Sequence, residues 1–116
     1  MFFAKTDGGR VFSGVIKDLA DVGTSILFTY DYERDGKGWH GDFSGIIDDE
    51  GNINGFWYEH TPDGKELKGK ALFKSRVIGD RYVLVGTWTG AAQDTNRWTV
   101  DIPASRVLGE DVNRRG

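Results

Sequence analysis

The chain contains no cysteine, two prolines and a single methionine. Without thiols there is no disulfide framework, no thiolate metal centre and no cysteine nucleophile. No apolar run approaches the roughly 18 residues of a membrane-spanning helix, so a membrane partner is not expected. The opening Met1-Phe2-Phe3-Ala4-Lys5 lacks a basic segment followed by a long apolar stretch, the mark of a secretory signal. A cytoplasmic location is the expectation. Neither sign of charge dominates: 15 Lys+Arg against 18 Asp+Glu leave a net charge of -3. That balance argues against a nucleic-acid partner held by bulk charge. The patterns of phosphate loops, dinucleotide turns, zinc helices and nucleophile elbows are missing as well. Neither a cofactor nor enzymatic activity is expected.

Glycine and aromatic residues are abundant instead: 17 Gly and 13% Phe, Trp and Tyr in 116 residues. A hydrophobic content of 38% with 28% charged residues describes one globular domain. The glycines recur in turn-type pairs at Asp7-Gly8, Asp35-Gly36, Glu50-Gly51, Asp63-Gly64 and Gly79-Asp80. Between them lie runs rich in Val, Ile, Thr and aromatics, the vocabulary of strands. Strands are expected over 2–6, 10–17, 24–33, 38–47, 52–60, 66–77, 81–89 and 96–102. Over 14–22 the spacing of Val15, Ile16, Leu19 and Ala20 also suits a short helix that Gly23 could end.

Treating each turn as a two-residue hairpin fixes the cross-strand partners. Phe28 then faces Phe43 and Tyr30 faces Gly41 about Asp35-Gly36. Phe43 faces Tyr58 about Glu50-Gly51, and Tyr58 faces Gly69 about Asp63-Gly64. Phe73 faces Gly86 and Ala71 faces Trp88 about Gly79-Asp80. A longer loop over 90–95 lets Trp88 face Trp98. One face stays apolar throughout. Small residues set against large rings allow strong bending. The expected fold is all-β: an eight-stranded antiparallel up-and-down meander closing into a small barrel. The alternative is a half-open barrel with a short helix near 15–22. The barrel domain spans 1–102, and 103–116 form a polar tail with a short helix over 104–108 as the alternative.

In this register the outward face carries His40, Asp42, Ser44, Trp57, Glu59, Lys68 and Lys70. Same-face neighbours on one strand stand about 6.5–7 Å apart, too far for His40, Asp42 and Ser44 to act as a triad. Asp42 and Glu59 face each other, but Lys68 beside Glu59 makes a solvated charged face the simpler reading. His40 and His60 fall on opposite faces, so no metal site is expected. Leu72, Val83 and Val85, with Trp57, are the outer residues suited to self-association or a partner protein.

The inward face is aliphatic at one end, with Ile16, Ile26, Ile47, Val77 and Leu84. The other end gathers Tyr30, Tyr32, Tyr58, His60, Trp88 and Trp98, with Trp39 at the start of its strand. Large rings with polar tips suit a ligand cup at a barrel mouth. A compact hydrophobic or aromatic small molecule is the expected ligand. Tyr30, Tyr58, Trp88 and Trp98 would stack on it, with His60 and Tyr32 as rim contacts. A barrel interior filled by these same rings, serving as a protein-interaction module, is the rival reading.

The stretch Arg81-Tyr82-Val83-Leu84-Val85-Gly86-Thr87-Trp88, followed by Trp98-Thr99-Val100, resembles the avidin/streptavidin family of barrels. The hairpin Asp49-Glu50-Gly51-Asn52-Ile53-Asn54-Gly55 is similar to one of that family's turns. The resemblance covers barely a third of the chain and implies a β-barrel. It implies Trp98 as a stacking residue, with Tyr58 second. The family's other ligand-stacking tryptophans and its ligand-binding aspartate have no counterpart, so a biotin site is not carried over. Gly86-Thr87-Trp88 also resembles a signature of lipocalin-like barrels.

Overall fold

A computed structural model describes residues 2–90 and 95–109. The strands are β1 (Phe2–Asp7), β2 (Arg10–Asp21), β3 (Ser25–Arg34), β4 (Lys37–Ile47), β5 (Asn52–His60), β6 (Glu66–Ile78), β7 (Arg81–Thr89) and β8 (Thr95–Pro103). Each pairs antiparallel with the next in sequence, and β1 pairs with both β2 and β8. The meander therefore closes into an eight-stranded barrel with no open edge between its first and last strands. Among the described residues no helix is long and apolar enough to cross a membrane.

The turn chemistry sets the register. Asp35 and Gly36 take φ of 54° and 77°, the left-handed pair of a type I′ turn, and Arg34 pairs with Lys37. Phe28 faces Phe43 and Tyr30 faces Gly41, as expected. The β6–β7 hairpin also matches, with Phe73 opposite Gly86 and Ala71 opposite Trp88.

The two turns bounding β5 differ from expectation. Asp48 N–H donates to the Asn52 carbonyl, leaving Asp49, Glu50 and Gly51 as a three-residue loop. The Asp48 carboxylate accepts the Glu50 and Asn52 N–H groups, and Gly51 takes the left-handed φ of 84°. Thr61, Pro62, Asp63 and Gly64 repeat the arrangement: Thr61 N–H donates to the Lys65 carbonyl, and Gly64 has φ 85°. Three-residue loops shift the pairing by one at each side of β5, which turns that strand over. Trp57 faces Phe43 and Gly69, and Gly45 faces Gly55. Trp57 and Glu59 point inward; Phe56, Tyr58 and His60 point outward.

No helix forms near 15–22. The helix-like spacing there comes from a β-bulge at Lys17: Ile16 pairs with Tyr30, and Asp18 with Thr29. The extra residue lets Ile16 and Leu19 both face the core. Across β7–β8 the register lies two residues from expectation, with Gly86 opposite Trp98 and Trp88 opposite Asn96. A shift of two keeps each side chain on its face. The expected 90–95 loop lies partly outside the described residues, as does the tail from 110 onward.

Trp98 is the centre of the core. Its ring lies 5.5 Å from Phe28, 5.2 Å from Tyr30 and 5.2 Å from Phe73. Burying rings of this size stabilises the fold by about 1.5–3 kcal/mol each. The end away from the β3–β4 turn is sealed. There a 3-10 turn (Ala104–Arg106) leads into β9 (Val107–Leu108), which pairs parallel with β2 and buries Val107. Beneath it Tyr82 donates a hydrogen bond to the buried Asp21 carboxylate at 2.7 Å.

Candidate functional site

The end bearing the Gly8-Gly9, Asp35-Gly36 and Pro62-Asp63-Gly64 turns is open. A cavity of about 500 Å³ enters the barrel there. Phe12, Trp39, Trp57, Leu67 and Trp88 form its walls, while Lys5, Tyr32 and Glu59 lie among its lining residues. At the rim the Arg34 guanidinium pairs with Asp7 at 2.6 Å and stacks on Phe12 and Trp39. Burial works to lower the Arg34 pKa, but the hydrogen bond and charge of Asp7 outweigh it and the net shift is upward.

The polar group at depth was not visible in the sequence. β1 and β5 stand four strands apart around the ring, so Lys5 and Glu59 meet across the lumen. Lys5 Nζ donates to Glu59 Oε2. Tyr30 donates to the same oxygen at 2.5 Å, and Tyr32 donates to Oε1 at 2.7 Å. Lys5 is 1% exposed and Glu59 2%. Taking two ions out of water costs several kcal/mol each, offset here by the pair itself and by two phenol hydrogen bonds. The indoles add to this: Nζ lies 4.3, 4.2 and 4.6 Å from the ring centroids of Trp57, Trp88 and Trp98.

These surroundings shift the proton equilibria. Burial lowers the Lys5 pKa, and the attraction of Glu59 only partly opposes it. Burial, then the Glu59 charge, raises Tyr30 and Tyr32 well above the ordinary tyrosine value. Both phenols therefore remain donors to the carboxylate. Trp57 Nε1 donates to the Thr89 carbonyl at 3.0 Å. Trp88 Nε1 and Trp98 Nε1 are buried with no hydrogen-bond partner among the described residues. An unsatisfied buried donor costs about 1–3 kcal/mol.

The structure places the six expected ligand residues in three settings. Tyr32 and Trp88 line the cavity. Tyr30 and Trp98 are packed within the core beside it, Tyr30 bonded to Glu59 and Trp98 ringed by phenylalanines. Tyr58 and His60 lie on the outer face because β5 is turned over, and Tyr58 donates there to Glu66 at 2.5 Å. The same reversal corrects four outer-face expectations. Trp57, expected as an interface residue, is 4% exposed and faces the lumen. Glu59 leaves the outer face and does not stand opposite Asp42, as the two-residue turn would place it; Asp42 faces Tyr58. Lys70, which a two-residue turn at Asp63-Gly64 would set opposite Trp57, faces Phe56 instead. His40 and His60 stand opposite each other on one face, and His40 Nδ1 contacts Asp31 at 2.5 Å.

Leu72 and Val85 are exposed on the outer face, and Val83 is half-buried. Residues that sequence reasoning missed had one signal each. Lys5 shares strand parity with Phe3, which put a lone base on an apolar face. Pro62 suits the first position of a type I turn better than a strand end, which marks the longer loop before Glu59 can be assigned a face.

Comparison with protein-family models, curated proteins and solved structures gives no match.

Proposed function

We propose that the barrel binds a compact, largely apolar or aromatic small molecule in its mouth cavity. A polar group of the ligand reaches the Lys5, Glu59 and Tyr32 cluster. The observation that carries this reading is a buried ion pair among the lining residues of an open aromatic cup. Stability alone does not call for it, since well-packed apolar residues often replace a buried pair without loss. The cavity volume falls in the ordinary range for ligand sites, and aromatic walls with a few convergent polar groups are their usual chemistry.

Native mass spectrometry of the purified protein tests this. Extra mass that survives native spray and vanishes on denaturation is the expected result, with Leu67→Arg at the cup wall reducing it. Bare protein, together with tryptophan fluorescence unchanged by a panel of aromatic and aliphatic small molecules, would overturn it.

A second reading rests on the outer face. Asn54 pairs with Ile46 on one side and Leu72 on the other, and Phe56 stands two residues along. Ile46 is 70% exposed and Phe56 64%. This strip suits a second copy of the chain. Light scattering coupled to size exclusion should then show a dimer that Phe56→Lys dissociates; a wild-type monomer at all concentrations removes the reading.

A further inference from the structure

We propose that Lys5 is a covalent attachment point, its amine condensing with an aldehyde or ketone carried by the cavity ligand to give a protonated Schiff base paired with Glu59. This rests on the ligand-binding reading above and names its ligand class.

Three features of the site converge on Lys5. Of the two lysines that line the cup, Lys68 is exposed and Lys5 is buried; the other five lysines of the chain are exposed and do not line it. The Lys5 amine already touches a carboxylate able to take and return a proton, and the Tyr32 hydroxyl bonds to that carboxylate's other oxygen. Its charge sits against three indole rings and a phenol at 5.8 Å. Burial raises the share of neutral amine, the form that attacks carbonyl carbon.

The step balances without a further reagent. The Lys5 ammonium passes one proton to Glu59, and the freed lone pair forms a C–N bond to the carbonyl carbon. The carbonyl oxygen takes up that proton from Glu59 to give a carbinolamine. A second proton from nitrogen reaches the same oxygen through Glu59, the C–O bond breaks, and water leaves as C=N forms. An ammonium and a carbonyl become an iminium and water, so the charge is conserved. The product places its positive charge where the ammonium stood. The Glu59 carboxylate and the indole cage therefore hold the iminium as they held the ammonium. A merely structural ion pair gains nothing from facing a cavity; an attachment point requires it.

The test uses the full chain with trans-cinnamaldehyde and octanal, each beside its alcohol, and sodium cyanoborohydride to reduce any Schiff base. Peptide mapping should find Lys5 alkylated about tenfold or more over any exposed lysine, in line with its larger neutral fraction and the binding of the aldehyde beside it. Lys5→Arg keeps a cation opposite Glu59 and should lose the adduct, and in the wild type the alcohols, which cannot condense, should quench tryptophan without forming one. Adducts spread over the exposed lysines and the amino terminus, with Lys5 unmodified, overturn the inference. If the alcohols still quench tryptophan in that case, ligand binding stands and the Schiff base alone fails. No quenching by any of the four compounds and no Lys5 adduct overturns both. The wild-type map decides even if the variant does not fold.

Discussion

Lys5 and Glu59 reach across the barrel lumen from β1 and β5, 54 residues apart in the chain, and pair with both side chains out of water. The contact ties the strand that closes the barrel to the strand whose turns decide which face it shows. Two tyrosines of β3 complete it through the same carboxylate.

Removing one charge should cost much more than removing both. Glu59→Gln keeps the shape and leaves the Lys5 ammonium uncompensated, with an expected loss of about 3–5 kcal/mol. Lys5→Met combined with Glu59→Gln should recover most of that loss. Urea unfolding of the two single variants and the double gives the coupling directly; additive losses would show that the pair does not interact in solution.

Stability should fall at alkaline pH through Tyr30 and Tyr32. Both are held above the ordinary tyrosine value, by burial first and then by Glu59. Above about pH 10 the unfolded chain has lost these protons while the folded chain keeps them, so each group removes up to about 1.4 kcal/mol per pH unit. Lys5 acts in the opposite sense at lower pH. Its lowered pKa makes the unfolded chain the better proton binder, so stability rises from the folded Lys5 value up to about 10.4. Urea midpoints above about pH 10 should drop less steeply for Tyr30→Phe/Tyr32→Phe than for wild type. Equal slopes would contradict the assignment.

Gly41 should not accept a side chain. A Cβ there would lie 2.5 Å from Tyr30 Cζ, 2.6 Å from its hydroxyl oxygen and 2.8 Å from Glu59 Cγ. Gly41→Ala therefore displaces the phenol from its carboxylate, at an expected cost of about 1–3 kcal/mol. Gly38 lies on the same strand with nothing within 4 Å of its would-be Cβ. Gly38→Ala should change stability by no more than about 0.5 kcal/mol. Thermal and urea unfolding of the two variants side by side distinguish close packing from a general intolerance of alanine on β4.

The face shown by β5 has its own test. Trp57→Ala should cost about 3–5 kcal/mol, because the indole is buried and bonded to the Thr89 carbonyl. Tyr58→Ala removes an outer ring and a cross-strand contact to Glu66, with an expected loss of about 1 kcal/mol at most. Reversed magnitudes would mean that β5 pairs in the other register.

Local chemistry determined much of this protein. Alternating β-branched and aromatic residues between glycine turns specified eight strands in meander order. Where the turn was a two-residue one, as at Asp35-Gly36 and Gly79-Asp80, pairing arithmetic also gave the correct faces, because both turn residues and both strand ends lie within a few residues of each other. Which turns share an end of the barrel followed too, although of the six residues expected at that mouth only Tyr32 and Trp88 line the cavity. Tertiary structure decided the rest. One extra loop residue on each side of β5 turned that strand over, and because the two shifts cancel, β4 and β6 gave no sign of it. Trp57 and Glu59 moved inside, Tyr58 and His60 outside. The inward placement of a charge was likewise not local: Glu59 is held in the lumen by Lys5, Tyr30 and Tyr32, partners 54, 29 and 27 residues away. A buried carboxylate is tolerated only where such donors converge, and their convergence exists only once the barrel has closed.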